Sequence, residues 1–106
     1  MLLADNSPLS EFVEANPDGV IVMLTAEWCG RPCDSLVPIL ERLESEHPHL
    51  TFVIADYEAQ GDFMAEHDIT AVPTVMAFVD GELRGATMFA RNEAMIRLEL
   101  SEVLNA

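Results

Sequence analysis

The chain has 106 residues, half of them hydrophobic, with 19 acidic side chains against 5 basic ones and a net charge of −14. That length suits one unit with a buried core and is too short for two ordinary domains, while the hydrophobic share excludes a disordered tail. All five basic residues are arginine, so a nucleic acid or an anionic bilayer would meet long-range repulsion, and no apolar run is long enough to span a membrane. The same acidity fits a salt-rich cytoplasm or a basic partner, with plain solubility the leading reading. Residues Met1 to Asp5 carry no basic n-region and no long apolar stretch, so the sequence reads as a cytoplasmic chain without a signal peptide.

Taken in order, Leu2 to Ala4 is a candidate edge strand. Ser7 followed by Pro8 sets a helix start, with Ser7 as cap, Pro8 in the first helical position, and Leu9, Phe12 and Val13 as the buried stripe. The turn Asn16-Pro17-Asp18-Gly19 leads into Val20 to Leu24, an unbroken apolar run that reads as a strand covered on both faces. From Pro32 to about Glu46, Leu36, Ile39, Leu40 and Leu43 recur at helical spacing, and Pro38 predicts a kink in one helix rather than two separate helices. Thr51 to Ala55 reads as a second buried strand, and Asp62 to His67 as a short helix capped by Asp62. Thr74 to Val79 and Leu83 to Met88 flank Asp80-Gly81, a tight hairpin signal, and Asn92 caps a last helix whose Ile96, Leu100, Val103 and Leu104 face inward. Strands linked by helices are expected to run parallel and the hairpin to add an antiparallel edge, giving an α/β sandwich with a central mixed β-sheet flanked by helices.

The two cysteines fall within Cys29-Gly30-Arg31-Pro32-Cys33, after a strand and at a helix start. A bridge between them would close a loop too small to add much stability, so a pairing here points to chemistry. Helix-terminal amides and Arg31 favour a thiolate, while Glu27 and Asp34 oppose it. Two alternatives stay open: inert buried cysteines, and a pair of thiolate metal ligands. His47 lies about 21 Å beyond Cys33 along a helix, so neither it nor the following His49 can join Cys33 in one site.

Trp28-Cys29-Gly30 with Pro32-Cys33, together with Pro38, Val72-Pro73-Thr74 and the turn Asp80-Gly81-Glu82, resembles the thioredoxin family over essentially the whole chain. The resemblance implies a single thioredoxin-like domain over 1–106, a three-layer sandwich, and a cis peptide before Pro73. It implies a thiol–disulfide oxidoreductase acting on protein disulfides, with Cys29 attacking, Cys33 resolving, no bound cofactor or metal, and a reductase as electron donor. Trp28, Gly30, Arg31, Pro32, Val72 and Pro73 would then border a groove for an extended substrate segment, on a monomer. The runner-up functions are a thioredoxin-like binding module with little turnover and a thiolate metal-binding protein.

Three departures from that pattern bear on the chemistry. Arg31 lengthens the family's Cys-x-x-Cys to Cys-x-x-x-Cys. Side chains four apart on a regular helix have Cβ atoms about 5 to 6 Å apart, whereas a disulfide needs about 3.5 to 4.5 Å, so the two cysteines cannot both lie on ideal helix. The expectation is a helix beginning at Pro32, with Cys29 folding back on a Gly30 hinge. Met23 and Ile54 stand where the resemblance would place a buried Asp and its Lys partner, and Phe89 stands where it would place a small glycine beside the groove.

Overall fold

Parity along one central strand sets the layers. In Val20–Thr25 (β2), Val20, Val22 and Leu24 enter one apolar layer and Ile21 and Met23 the other, and all five are at most 1% exposed. Each such side chain contributes about 1.5 to 3 kcal/mol of burial. The computed structural model describes residues 1–106. Its other strands are Leu2–Leu3 (β1), Thr51–Asp56 (β3), Thr74–Val79 (β4) and Glu82–Met88 (β5), and they form one sheet in the order β1-β3-β2-β4-β5. The helices are Leu9–Ala15 (α1), Arg31–Asp34 (α2), Val37–Glu46 (α3), Gly61–Glu66 (α4), Glu93–Glu99 (α5) and Ser101–Leu104 (α6). Leu9 and Val13 of α1 and Phe63 and Met64 of α4 cover the Val22 side, while α2, α3, α5 and α6 cover the Met23 side. The result is the expected three-layer α/β sandwich on a mixed sheet. No helix is long and apolar enough to cross a membrane.

Strand direction departs from expectation at one connection. β1 and β2 both pair parallel with β3, but β4 runs antiparallel to β2 although helix α4 links it to β3. The six residues of α4 rise only about 9 Å. A strand of this length spans about 20 Å. The connection from β3 passes β2 but stays at the same end of the strands. The chain re-enters where β3 ended, with Thr74 opposite Leu24, and has to run back. β5 follows through Asp80 and Gly81, whose φ values of 52° and 79° make the hairpin turn the sequence announces.

Helix ends carry most of the other corrections. Ser7 does not cap α1, and Pro8 precedes the helix in an extended conformation. The first free amide, Leu9 N–H, donates instead to Oε1 of Gln60 at 3.0 Å, and Gln60 Nε2 donates to the Ser7 carbonyl at 2.9 Å. Gln60 is only 4% exposed, so one buried amide ties α1 to the start of α4. Asp62 likewise is not a cap but lies inside the first turn of α4. The predicted helix from Pro32 to Glu46 is divided into α2 and α3 rather than kinked. Ser35 and Leu36 between them keep right-handed helical dihedrals, and Pro38 falls in the first turn of α3, where a missing N–H does no harm. The last helix divides at Leu100, with Ile96, Leu100, Val103 and Leu104 all buried, and the Asn92 cap forms with Oδ1 accepting from Met95 N–H at 2.8 Å.

Gly85 is required by close approach. A Cβ there would lie 2.7 Å from the Glu99 carbonyl oxygen and 3.2 Å from Leu100 Cδ2, so only glycine lets the end of α5 rest on β5. Gly85→Ala is expected to lower stability by about 1 to 3 kcal/mol, read as the midpoint of urea unfolding. Near the same helix, Arg42 and Arg97 both donate to Glu93 and hold its carboxyl below the usual range, mainly through hydrogen bonds from Arg42 and then Arg97. Because the folded value is depressed, whatever this exposed network contributes is present above the ordinary carboxylate pKa and fades as pH falls through the folded value. Glu93→Gln should flatten that acid limb of the urea midpoint, and added salt should do so in part.

Candidate active site

The reactive loop begins where β2 leaves the sheet. Glu27–Cys29 forms one turn of 3-10 helix, with Cys29 N–H donating to the Ala26 carbonyl at 3.0 Å. Gly30 then takes φ 64° and ψ −133°, a backbone conformation open to glycine and closed to other L-residues, and α2 starts at Arg31, one residue earlier than expected. The Gly30 carbonyl accepts from both Cys33 N–H, at 3.2 Å, and Asp34 N–H, at 2.9 Å. Cys29 thus stays off the helix while Cys33 is on it. Their Cα atoms are 5.8 Å apart and their sulfurs are joined in a disulfide.

The two sulfurs have unequal surroundings. Cys33 is 2% exposed and belongs to the core layer of Met23, Leu36 and Leu40, whereas Cys29 is half-buried at the surface, touching both layers. Below Cys33 that layer holds no charged side chain. Met23 and Ile54 are direct partners across β2 and β3, so the two positions where the resemblance would place an Asp and a Lys adjoin one another as an uncharged, apolar pair.

Beside Cys29 lies a groove of about 470 Å³, lined by Trp28, Cys29, Pro32, Val72, Pro73 and Phe89, with Ser35, Ala90 and Arg91 completing it. Trp28 is 65% exposed and rests edge-on against Tyr57, with ring centroids 5.7 Å apart. The Val72–Pro73 peptide is cis. Thr74 Oγ1 donates to the Ala71 carbonyl at 2.7 Å, and Ala90 N–H donates to the Pro73 carbonyl at 3.1 Å, which fixes the two loops to one another. Of the residues singled out in the sequence, Trp28, Cys29, Pro32, Val72 and Pro73 come together in this lining, with Cys33 bonded beneath. Gly30 and Arg31 are exposed next to it but do not line it. Ser35, Ala90 and Arg91 were not legible as site residues; Ser35 enters through the turn that ends α2, and Ala90 and Arg91 through the long-range bond between Ala90 and Pro73.

The histidines lie elsewhere. His47 has both ring nitrogens 2.8 Å from backbone oxygens, those of Leu43 and Leu104, and His67 packs against the rings of Phe63 and Phe78. No three His, Cys, Asp or Glu side chains converge in a way that would hold a metal ion.

Comparison with known proteins agrees with this geometry. The family model described as Thioredoxin matches residues 2–102. The thioredoxin of Chlamydia trachomatis is 32% identical over 80 residues, 74% of this chain and 78% of that protein. The X-ray structure of Fasciola hepatica thioredoxin superposes with a TM-score of 0.80 at 27% identity, covering 96% of this chain and 98% of the other. The oxidised mitochondrial thioredoxin 3 of Saccharomyces cerevisiae gives 0.77 at 28% identity, covering 92% of each chain.

The apolar floor of the site generates its own test. Met23→Asp would bury a carboxyl with no partner and is expected to cost about 3 kcal/mol or more at neutral pH, and less in acid, where the carboxyl is neutral. Adding Ile54→Lys should recover part of that loss. Urea unfolding at pH 4 and pH 8 checks both expectations.

Proposed function

Because the chain belongs to the thioredoxin family and is a thiol–disulfide oxidoreductase, we propose that it reduces protein disulfides with Cys29 as the attacking and Cys33 as the resolving thiol. The observation that carries this division of labour is the difference in burial between the two sulfurs. In the reduced protein the Cys29 thiolate attacks one sulfur of a substrate disulfide, and the other substrate sulfur leaves as a thiolate and takes up a proton. A mixed disulfide now joins Cys29 to the substrate. The Cys33 thiol loses its proton and attacks Cys29 Sγ, the second substrate sulfur leaves, and the 29–33 bond closes. Two electrons pass to the substrate, and a reductase returns them to the protein by the reverse exchange.

Trp28, Pro32, Val72 and Pro73 are read as the walls that hold the substrate segment extended beside Cys29, with Gly30 and Arg31 at its rim. The whole of 1–106 is read as one domain working as a monomer in a reducing cytoplasm, without a bound cofactor. With Met23 and Ile54 in place of a charged pair, no side chain beneath Cys33 can relay its proton, so water entering beside Cys29 has to take it. Resolution is then the slow step at low pH. The two runner-up functions are not favoured: a pure binding module does not require joined sulfurs, and the two thiols lack further metal ligands.

The experiment is alkylation and intact-mass analysis across a redox buffer series. A single reversible two-electron step is expected, and its absence would overturn the assignment. Cys33→Ser should accumulate the mixed disulfide with a test protein, whereas Cys29→Ser should form none and lose turnover by several orders of magnitude. Deleting Arg31 restores a two-residue spacer and is expected to raise the reduction rate. An equal or lower rate in a folded variant would show that the longer spacer is not limiting.

A further inference from the structure

Four residues other than glycine have positive φ: Asp5, Asp68, Asp80 and Phe89. Aspartate tolerates that region because its short side chain bonds locally, whereas a bulky aromatic does not. Phe89 nonetheless adopts φ 56° just after β5 and is 58% exposed, so its ring is mostly left uncovered despite the strain. Its neighbour Ala90 is buried in the Met23 layer and held by the bond to the Pro73 carbonyl, and so acts as a fixed post from which Phe89 and Arg91 both reach the groove. A strained, uncovered aromatic at a fixed place beside a reacting centre suits a surface that something else is meant to cover.

The charges around it are arranged in the same sense. Arg42, Arg84 and Arg97 are each paired with carboxylates, whereas Arg31 and Arg91 make no ion pair. In a chain with 19 acidic side chains, none lines this groove, and Arg91 is the one charged residue that does. The hollow at the start of α1 and α4, about 360 Å³, is by contrast lined by Asp62 and Glu66. The lining of the groove beside Cys29 therefore carries one positive charge and no negative one, although Glu27 and Asp34 adjoin it in sequence.

We infer that Phe89 and Arg91 are specificity residues, selecting disulfide-bearing segments of partner proteins in which an apolar side chain lies against Phe89 and a carboxylate beside it meets Arg91. The apolar contact covers the ring that the free protein leaves in water, and the carboxylate gives Arg91 the partner it lacks. The inference rests on the disulfide-exchange reading for its substrate class, but the preference belongs to the groove and can be measured without exchange.

The test uses paired peptides, each joined through its single cysteine to a small fluorescent thiol and identical except for Glu or Gln at one position, scanned on either side of an apolar residue. At one position the wild-type protein is expected to favour Glu over Gln by about fivefold in kcat/KM, the range of a well-placed exposed ion pair. Arg91→Glu should invert that ratio. Phe89→Gly should raise the urea midpoint, because glycine takes this φ freely, while lowering kcat/KM several-fold on both peptides of the pair. A ratio of one at every position, or a Glu preference that survives in Arg91→Glu, would overturn the role of Arg91. A midpoint that falls in Phe89→Gly would make Phe89 a packing residue and overturn its role. Fluorescence titration of Trp28, the single tryptophan, with cysteine-to-serine versions of the peptides reports the same preference on the oxidised protein. If those titrations discriminate Glu from Gln while no disulfide is reduced, the groove inference stands and the exchange reading falls. If reduction proceeds and neither assay discriminates, the reverse holds.

Discussion

The left-handed turn at Gly30 is the constraint on which the chemistry depends. A spacer of three residues between two cysteines on continuous helix would hold the sulfurs too far apart to bond. Gly30 takes Cys29 out of the helix and folds it back, while its carbonyl still receives the Cys33 and Asp34 amides of α2. One residue thereby does two things: it closes the distance, and it leaves one sulfur at the surface and the other in the core. Any side chain at this position would meet empty space, so the demand on glycine is conformational and not steric.

The second determinant is what the core beneath the sulfurs omits. β2 and β3 are paired in register through Met23 and Ile54, and replacing both members of a charged pair by apolar residues leaves no stranded charge. The layer packs as an ordinary core, and stability asks nothing more of it. In the proposed exchange, chemistry is the part affected, since the Cys33 thiol would have to lose a proton and no charged side chain lies beneath it to receive one. The same two positions, one on β2 and one on β3, thus satisfy the packing of the core without supplying the proton-handling groups.

Much of the architecture was legible because it is written in short-range patterns. The apolar run Val20 to Leu24, the Asp80-Gly81 turn and the Asn92 cap each depend on residues within a few positions of one another, and each forms as read. What was not legible depends on partners far along the chain. Ser7 looked like a cap, but the bond goes to Gln60, 51 residues from Leu9. Pro38 fits a kink and a helix start equally well, and only the hydrogen bonding between α2 and α3 decides. The direction of β4 follows from where the connection sets the chain down, with Thr74 opposite Leu24, which no local motif states. At the site, the cysteines and the Trp28 and Pro73 walls were readable from motifs, whereas Arg91 was not, since nothing near it in sequence announces the bond from Ala90 to Pro73.

The Gln60 side chain has an effect on motion as well as on capping. By holding the first turn of α1 and the segment leading into α4 through one buried amide, it makes the fraying of either helix contingent on the other. Hydrogen exchange on that side of the sheet is then set by a joint opening of both helices rather than by two independent ones.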